Sequence, residues 1–287
     1  MLITVIVSRL PLYIAFTLCV GATRMAWSQT PSPLQEWQYP GGTMLEKVFE
    51  PNIPEWRFVL GVAGVAMPLY EGSRPYRIEP APVIDIRYRD IAFASVGEGL
   101  GVNLLRGPNY RAGIAIGYDL GRRVSDDSSR LHGLGDISAA PLIKLFGSYL
   151  ISKGFPVVLR ADVRQVIGRA GANGLLGDLE AYMPLPGSSR TLAMIAGPSV
   201  TLANHSYTQR VFGVSDSQAA ASAYPEYNAH GGLEAVGLGF SITRLITTSW
   251  LINTDVAIHR LIGSASESPV TRSSVQGVVE VAIAYRR

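Results

Sequence analysis

From Trp56 to the C-terminus, apolar residues recur at every second position in segments of about ten residues, and this period limits what the chain can fold into. In Tyr110 to Gly121, Tyr110, Ala112, Ile114, Ile116, Tyr118 and Leu120 have one parity, and Arg111, Gly113, Ala115, Gly117, Asp119 and Gly121 the other. Successive side chains of a strand point to opposite faces, so such a segment has one apolar side and one small or charged side. The rhythm returns in Val83 to Arg89, in Phe155 to Arg164 and in Val279 to Tyr285, with charges held to one parity each time. After residue 28 no apolar run approaches the 18 or so residues of a membrane helix, which excludes helical spans.

A soluble β-sandwich and a membrane barrel both alternate in this way. Charged residues make up only 16% of the 287 residues, against 47% apolar, which is well below the roughly one-quarter charged fraction of soluble domains. The segments are long enough for a tilted strand to cross a bilayer. Tyr70, Tyr88, Tyr110, Tyr118, Phe155, Tyr182, Trp250 and Tyr285 lie toward segment ends, as an interfacial girdle would. Strands are expected at 56–66, 80–89, 91–97, 100–106, 110–120, 136–147, 155–164, 174–183, 191–202, 232–242, 249–261 and 275–285. The links between them are alternately short and mostly long, and only Glu98-Gly99 breaks the rule. The expectation is an all-β fold, a transmembrane antiparallel β-barrel of about 12 strands with short periplasmic turns and longer external loops.

Arg9, the apolar stretch Leu10 to Ala22, and Ala26-Trp27-Ser28 have the layout of a cleaved signal peptide. The domains read as a signal peptide over 1–28, a proline-rich periplasmic segment over 29–55 and an outer-membrane β-barrel over 56–287. Cleavage would remove Cys19, the only cysteine, and with Arg9 and Arg24 would lower the formal charge of +3 by two. That balance argues against a nucleic-acid partner.

Several short motifs in a fixed order add a family signal. They are Tyr70-Glu71-Gly72-Ser73, Pro82, Tyr118 to Arg122, Gly133-Leu134-Gly135, Gly197-Pro198-Ser199 to Ala203, Tyr207, Phe212-Gly213-Val214, Gln218-Ala219, Tyr224 and Ser268-Pro269-Val270. From about Trp56 onward the chain resembles the MltA-interacting protein (MipA/OmpV) family of outer-membrane proteins. The resemblance implies an outer-membrane barrel. For the best-known type of member it implies an adaptor between a murein lytic transglycosylase and a bifunctional penicillin-binding protein; other members look like surface proteins. Asn204 and Thr208 depart from the pattern, which leads one to expect aspartate and methionine there, and the chain ends Tyr285-Arg286-Arg287 where such barrels usually end on an aromatic residue.

Catalytic chemistry finds little support. Asp255 and His259 share a strand face, but spacing brings no serine to them, and Gly-x-Ser-x-Gly is absent. His132, His205, His230 and His259 lack metal-ligand spacing, and Gly97-Glu98-Gly99-Leu100-Gly101 lacks the helix and lysine of a phosphate loop. No catalytic, metal or cofactor-binding residue is expected, and no cofactor. The inward charges Arg87, Arg89, Arg111, Asp119, Arg160, Asp162, Arg164, Asp178, Glu180 and Glu280 fit either a salt-bridged plug or a charge-selective pore. The long segment Ala203 to Gly231, with Tyr207, Phe212, Tyr224 and Tyr227, fits either a recognition surface or a lid folded into the barrel mouth. Outer-membrane lipid is the expected surrounding. The leading function is a non-enzymatic scaffold for murein-remodelling enzymes, with a small-solute channel or surface protein as the alternative and a lipid-modifying hydrolase third.

Overall fold

A computed structural model describes residues 54–151, 156–168 and 174–287. The signal peptide and nearly all of the proline-rich segment expected from the sequence lie outside them. Twelve antiparallel strands close into a barrel in chain order: β1 (Trp56–Pro68), β2 (Tyr76–Tyr88), β3 (Ala92–Ser95), β4 (Gly99–Arg106), β5 (Tyr110–Asp119), β6 (Ala140–Leu150), β7 (Val158–Val166), β8 (Gly174–Pro184), β9 (Leu192–Ala203), β10 (Gly232–Leu245), β11 (Trp250–Leu261) and β12 (Val275–Arg286). Closure is by β1 and β12, with Val62 opposite Ile283 and Leu60 opposite Tyr285. Where every strand is paired on both sides the ring leaves no sheet edge, which is the form in which strands can span lipid.

The alternation has a direct structural counterpart. In β6, Ala140, Leu142, Lys144, Phe146, Ser148 and Leu150 are all buried inside the barrel, while Ile143, Leu145 and Tyr149 face outward. Two irregularities interrupt the period. A register shift between Asn103 and Leu105 turns both Leu104 and Leu105 outward, and one between Leu233 and Ala235 turns both Glu234 and Ala235 inward. An extra residue in one strand of a pair has this effect, since it resets the parity.

The outward face forms the apolar belt. At the short-turn end Trp56, Tyr88, Tyr110, Tyr149, Trp250 and Tyr285 make an aromatic girdle, with Trp56 4.7 Å from Tyr88 and Trp250 5.5 Å from Tyr285. Tyr76 and Tyr118 are outward and exposed toward the other end. Two aromatics expected in the girdle are elsewhere. Tyr70 is buried under the loops, and Tyr182 points into the barrel because it has the parity of Asp178 and Glu180 in β8. Phe155 lies outside the described residues.

Segments 120–139, 204–231 and 262–274 gather at one end, and the turns 89–91, 107–109 and 246–249 at the other. By the general rule for such barrels the long-loop end faces outward and the short turns face the periplasm. The β3–β4 turn is exceptional. Residues 96–98 reverse the chain partway up the wall, where Gly99 adopts φ +86° and a Cβ would lie 2.2 Å from the Ile116 carbonyl oxygen. β2 begins four residues before the expected start, with Pro80 and Pro82 well inside the strand.

Candidate functional site

The barrel interior has two unlike walls. On β1, β11 and β12 most inward residues are small or aliphatic, Asp255, His259, Gln276 and Glu280 apart: Ala63, Val65, Met67, Leu251, Ala257, Val278, Ala282 and Ala284 pack with Leu150, Val158, Tyr182 and Ile195 from the opposite wall. Strands β2 and β5 to β8, with the β3–β4 turn, supply most of the charges.

Register places the charged groups beside one another. Arg160 is opposite Glu180, and Asp162 is opposite Asp178. Two carboxylates directly opposite would repel, but the Arg164 guanidinium lies between them, 3.3 Å from Asp162 Oδ1 and bonded to Asp178 Oδ2. The Thr201 hydroxyl donates to the other Asp178 oxygen at 2.6 Å. Arg160 lies 3.6 Å from Glu180 and 3.7 Å from both Asp162 and Glu98, and stacks over the Phe146 ring. Glu98, in the β3–β4 turn, also bonds Arg87, whose Nε is 2.8 Å from Asp85. The network therefore crosses the barrel from β2 to β9.

These groups are nearly inaccessible to water. Arg164 is 0% exposed, Lys144 1%, Arg160 2%, Arg111 3% and Asp178 4%. A water-filled pore would leave such inward side chains wet; here each is covered by its neighbours, so the interior is packed at this level. Arg111 reaches Asp90 in the β2–β3 turn at 3.4 Å. Asp119 belongs to the outer mouth, where Arg210 reaches it at 2.5 Å. Glu280 is partly buried on β12, away from the network. Arg89 departs from the expected lumen-lining set. It follows the end of β2 with φ +49°, and its half-exposed side chain reaches Glu55 at 2.9 Å.

Over the mouth lies a lid made from four loops. The helix His205–Phe212 starts at Asn204, whose Oδ1 accepts from the Tyr207 and Leu175 backbone N–H groups at 2.9 and 3.0 Å. The Thr208 hydroxyl donates to the Asn204 carbonyl at 3.1 Å. Both family departures thus serve the start of this helix, a place where Asn caps well. A second helix, Asp216–Ala221, carries a Ser215/Gln218 capping box. Tyr70, Leu131, Leu134, Val214 and Val270 form one lid core, with Tyr224 and Tyr227 against it; Phe212, Ala229 and Ala265 form another with Ala235 and Leu261 of the wall. Arg122 donates to the Val211 carbonyl at 3.0 Å, Ser268 to that of Phe212 at 2.6 Å, and Tyr227 to that of Ser264 at 2.8 Å. The structure folds this segment as a lid over the mouth. Phe212 and Tyr207 are buried, and Tyr224 and Tyr227 are partly so.

Burial changes the acids of the lid. The Tyr70 phenol is pushed up to about 12 by burial, with Tyr224 and Asp127 adding to the effect. The Glu71 carboxyl is pushed up to about 7, first by burial and then by the nearby Asp119 carboxylate, against the pull of Arg164. Glu71 is half-buried, but its Oε1 is shielded and has no hydrogen-bond partner.

The Asp255–His259 pair does not form a relay. Neither ring nitrogen of His259 has a hydrogen-bond partner, and the nearest serine in its row, Ser199, sits two strands away across Gly237. Among the described residues no group of three His, Cys, Asp or Glu is placed to hold a metal ion.

A family profile described as MltA-interacting protein MipA matches residues 60–287, the whole barrel but for the start of β1. The chain belongs to this family. No curated protein matches the sequence. Several solved structures are similar. The CymD monoaromatic hydrocarbon channel is 9% identical, with a TM-score of 0.41 over 88% of this chain and 93% of that one. An anion-selective porin from Comamonas acidovorans is 8% identical, with a TM-score of 0.31 over 81% and 98%. The outer membrane phospholipase of Salmonella typhi is 12% identical, with a TM-score of 0.29 over 85% and 97%. This MipA-family chain is thus an outer-membrane β-barrel whose interior is packed with ion pairs and whose outer mouth is lidded.

Proposed function

We propose that this protein is a non-enzymatic, non-conducting scaffold of the outer membrane that holds murein-remodelling enzymes at its periplasmic end, a lytic transglycosylase foremost and a bifunctional penicillin-binding protein with it. The observation that carries this reading is the ion-pair network around Arg160 and Arg164, whose buried side chains favour a filled lumen over an open one. A barrel closed in this way acts through its surfaces. The family description, that of a protein interacting with a murein transglycosylase, supports the partner. Arg106, Arg190, Arg244 and Arg287 are exposed at the short-turn end, and opposite charge on a partner would steer its docking there.

The test is capture of the transglycosylase from detergent-solubilised envelopes by the tagged barrel. Enrichment is expected, and it should fall when Arg106, Arg190 and Arg244 are changed together to glutamate. Capture no better than with an unrelated barrel refutes the scaffold. Stepwise currents in planar bilayers would return the protein to the channel class.

A further inference from the structure

The barrel wall is incomplete on its outer half. β2 pairs with β1 over its full length, from Tyr76 to Tyr88, but with β3 only from Asp85 onward. β5 pairs with β6 from Tyr110 to Asp119, yet its last partner in β4 is Ile116. Above the turn at 96–98, residues 76–83 of β2 and 117–119 of β5 therefore flank a window, with no strand between them among the described residues. At the level of the hairpin these two strands are three strand spacings apart, about 14 Å. The top of the window is bounded by the 120–139 loop, whose Asp126 reaches Arg77 at 3.3 Å.

Exposure confirms the opening. Inward residues are buried along β2 up to Val83 and along β5 up to Ala115; beyond those points Ala81, Glu79, Gly117 and Asp119 are all partly exposed. At the corresponding height Val65 and Met67, on neighbouring β1, remain buried.

The free edge of β2 has a definite chemistry. The Ile84 carbonyl accepts from Val96 N–H at 3.0 Å, so even-numbered residues of β2 direct their backbone groups toward the window. Pro80 and Pro82 have that parity. Proline has no N–H, so the edge offers the carbonyls of Ile78, Pro80 and Pro82 but few donors, and another strand cannot add to it. Carbonyls at membrane depth need a donor. Just inside, Glu79 Oε1 lies 3.3 Å from Arg77, while its Oε2 is shielded and has no hydrogen-bond partner. Ile78, Val96, Leu100, Ile116 and Tyr118 form an exposed apolar rim on the lipid side.

We propose that this window seats the ammonium head of a membrane amphiphile, with Glu79 and the free carbonyls accepting its protons and its alkyl chain lying along the rim. Arg77, the cation beside Glu79, is already engaged by Glu79 and Asp126, so an anionic head would meet mainly acceptors where it needs donors. A carboxylate-to-ammonium bond sheltered from water is the stronger kind of hydrogen bond, and its loss weakens binding about tenfold or more.

The experiment uses purified protein in dodecyl maltoside, titrated with nitroxide-labelled octadecylammonium or octadecyl sulfate and read by electron paramagnetic resonance. The ammonium probe should show a saturable, motionally restricted population of about one per barrel, and the sulfate probe none. Glu79→Gln should weaken the ammonium population about tenfold, and Ala81→Trp, which fills the opening without changing a charge, should abolish it. Folding of both variants is checked by circular dichroism. No saturable population, equal binding of the two probes, or full binding by Glu79→Gln would each overturn the proposal.

Discussion

Replacing Arg164 with leucine tests whether the interior is held by paired charge. The side chain is fully buried between Asp162 and Asp178, which face each other across β7 and β8. Its removal leaves two carboxylates in a dry interior, and breaking such a pair from one side costs about 3–5 kcal/mol. Lys144 stands opposite Arg164 in the β6–β7 register and can offset part of the loss, which puts the expectation near the lower figure. At roughly 2–4 °C per kcal/mol for a domain of this size, the melting temperature should fall by about 6–12 °C. The assay is thermal and urea unfolding of protein folded into lipid vesicles, followed by tryptophan emission, since Trp56 and Trp250 sit in the girdle. The double variant Arg164→Leu/Asp178→Leu removes the charge and its partner together and should recover more than half of the loss, less about 1 kcal/mol for the orphaned Thr201 hydroxyl. A single variant that costs under about 1 kcal/mol, or a double variant no better than the single, refutes the view that these charges act as a paired plug.

Three further outcomes are expected. Because burial raises the folded-state pKa of Glu71 to about 7, its contribution to lid docking is complete below the ordinary carboxylate range and is lost as pH rises through 7; the effect is at most about 3 kcal/mol. Protease sensitivity of the lid should rise between pH 5 and pH 8, and Glu71→Gln should hold it at the low level throughout; a pH-independent wild type would count against this. Gly197→Ala should fail to give the native barrel in refolding yield, since its Cβ would lie 1.7 Å from the Ala181 carbonyl oxygen, whereas Gly64→Ala, with nothing within 4 Å, should be tolerated. Phe212→Ala, at a fully buried position of the lid, should cost about 3–5 kcal/mol, seen as cleavage within 204–231 under conditions where the strands survive; an equally resistant lid would show that Phe212 is not its anchor.

The wall was legible in the sequence because parity is a local property. Arg160, Asp162 and Arg164 could be placed inside from their spacing alone, and the same rule, applied to Tyr182 beside Asp178 and Glu180, would have turned that tyrosine inward too. Partner choice was not legible, because it depends on cross-strand register: nothing in the spacing says that Arg164 meets Asp178 or that Glu98 meets Arg87. The lid lay further out of reach. Its helices are short, and they are held by contacts with Tyr70, Leu134, Ser264 and Ser268, in loops distant along the chain. The window did leave a signal. Two prolines of one parity inside an otherwise regular strand mark an edge.

The joining of loops 69–75, 120–139, 204–231 and 262–274 through common cores has a consequence for how the cell-exterior face behaves. None of these segments can peel away by itself without leaving the others' apolar side chains uncovered, so the outer face should open as one cooperative unit. Variation imposed from outside, by antibodies or phage for example, should collect on the solvent side of Asp216–Ala221, where no residue is buried, and spare the residues underneath.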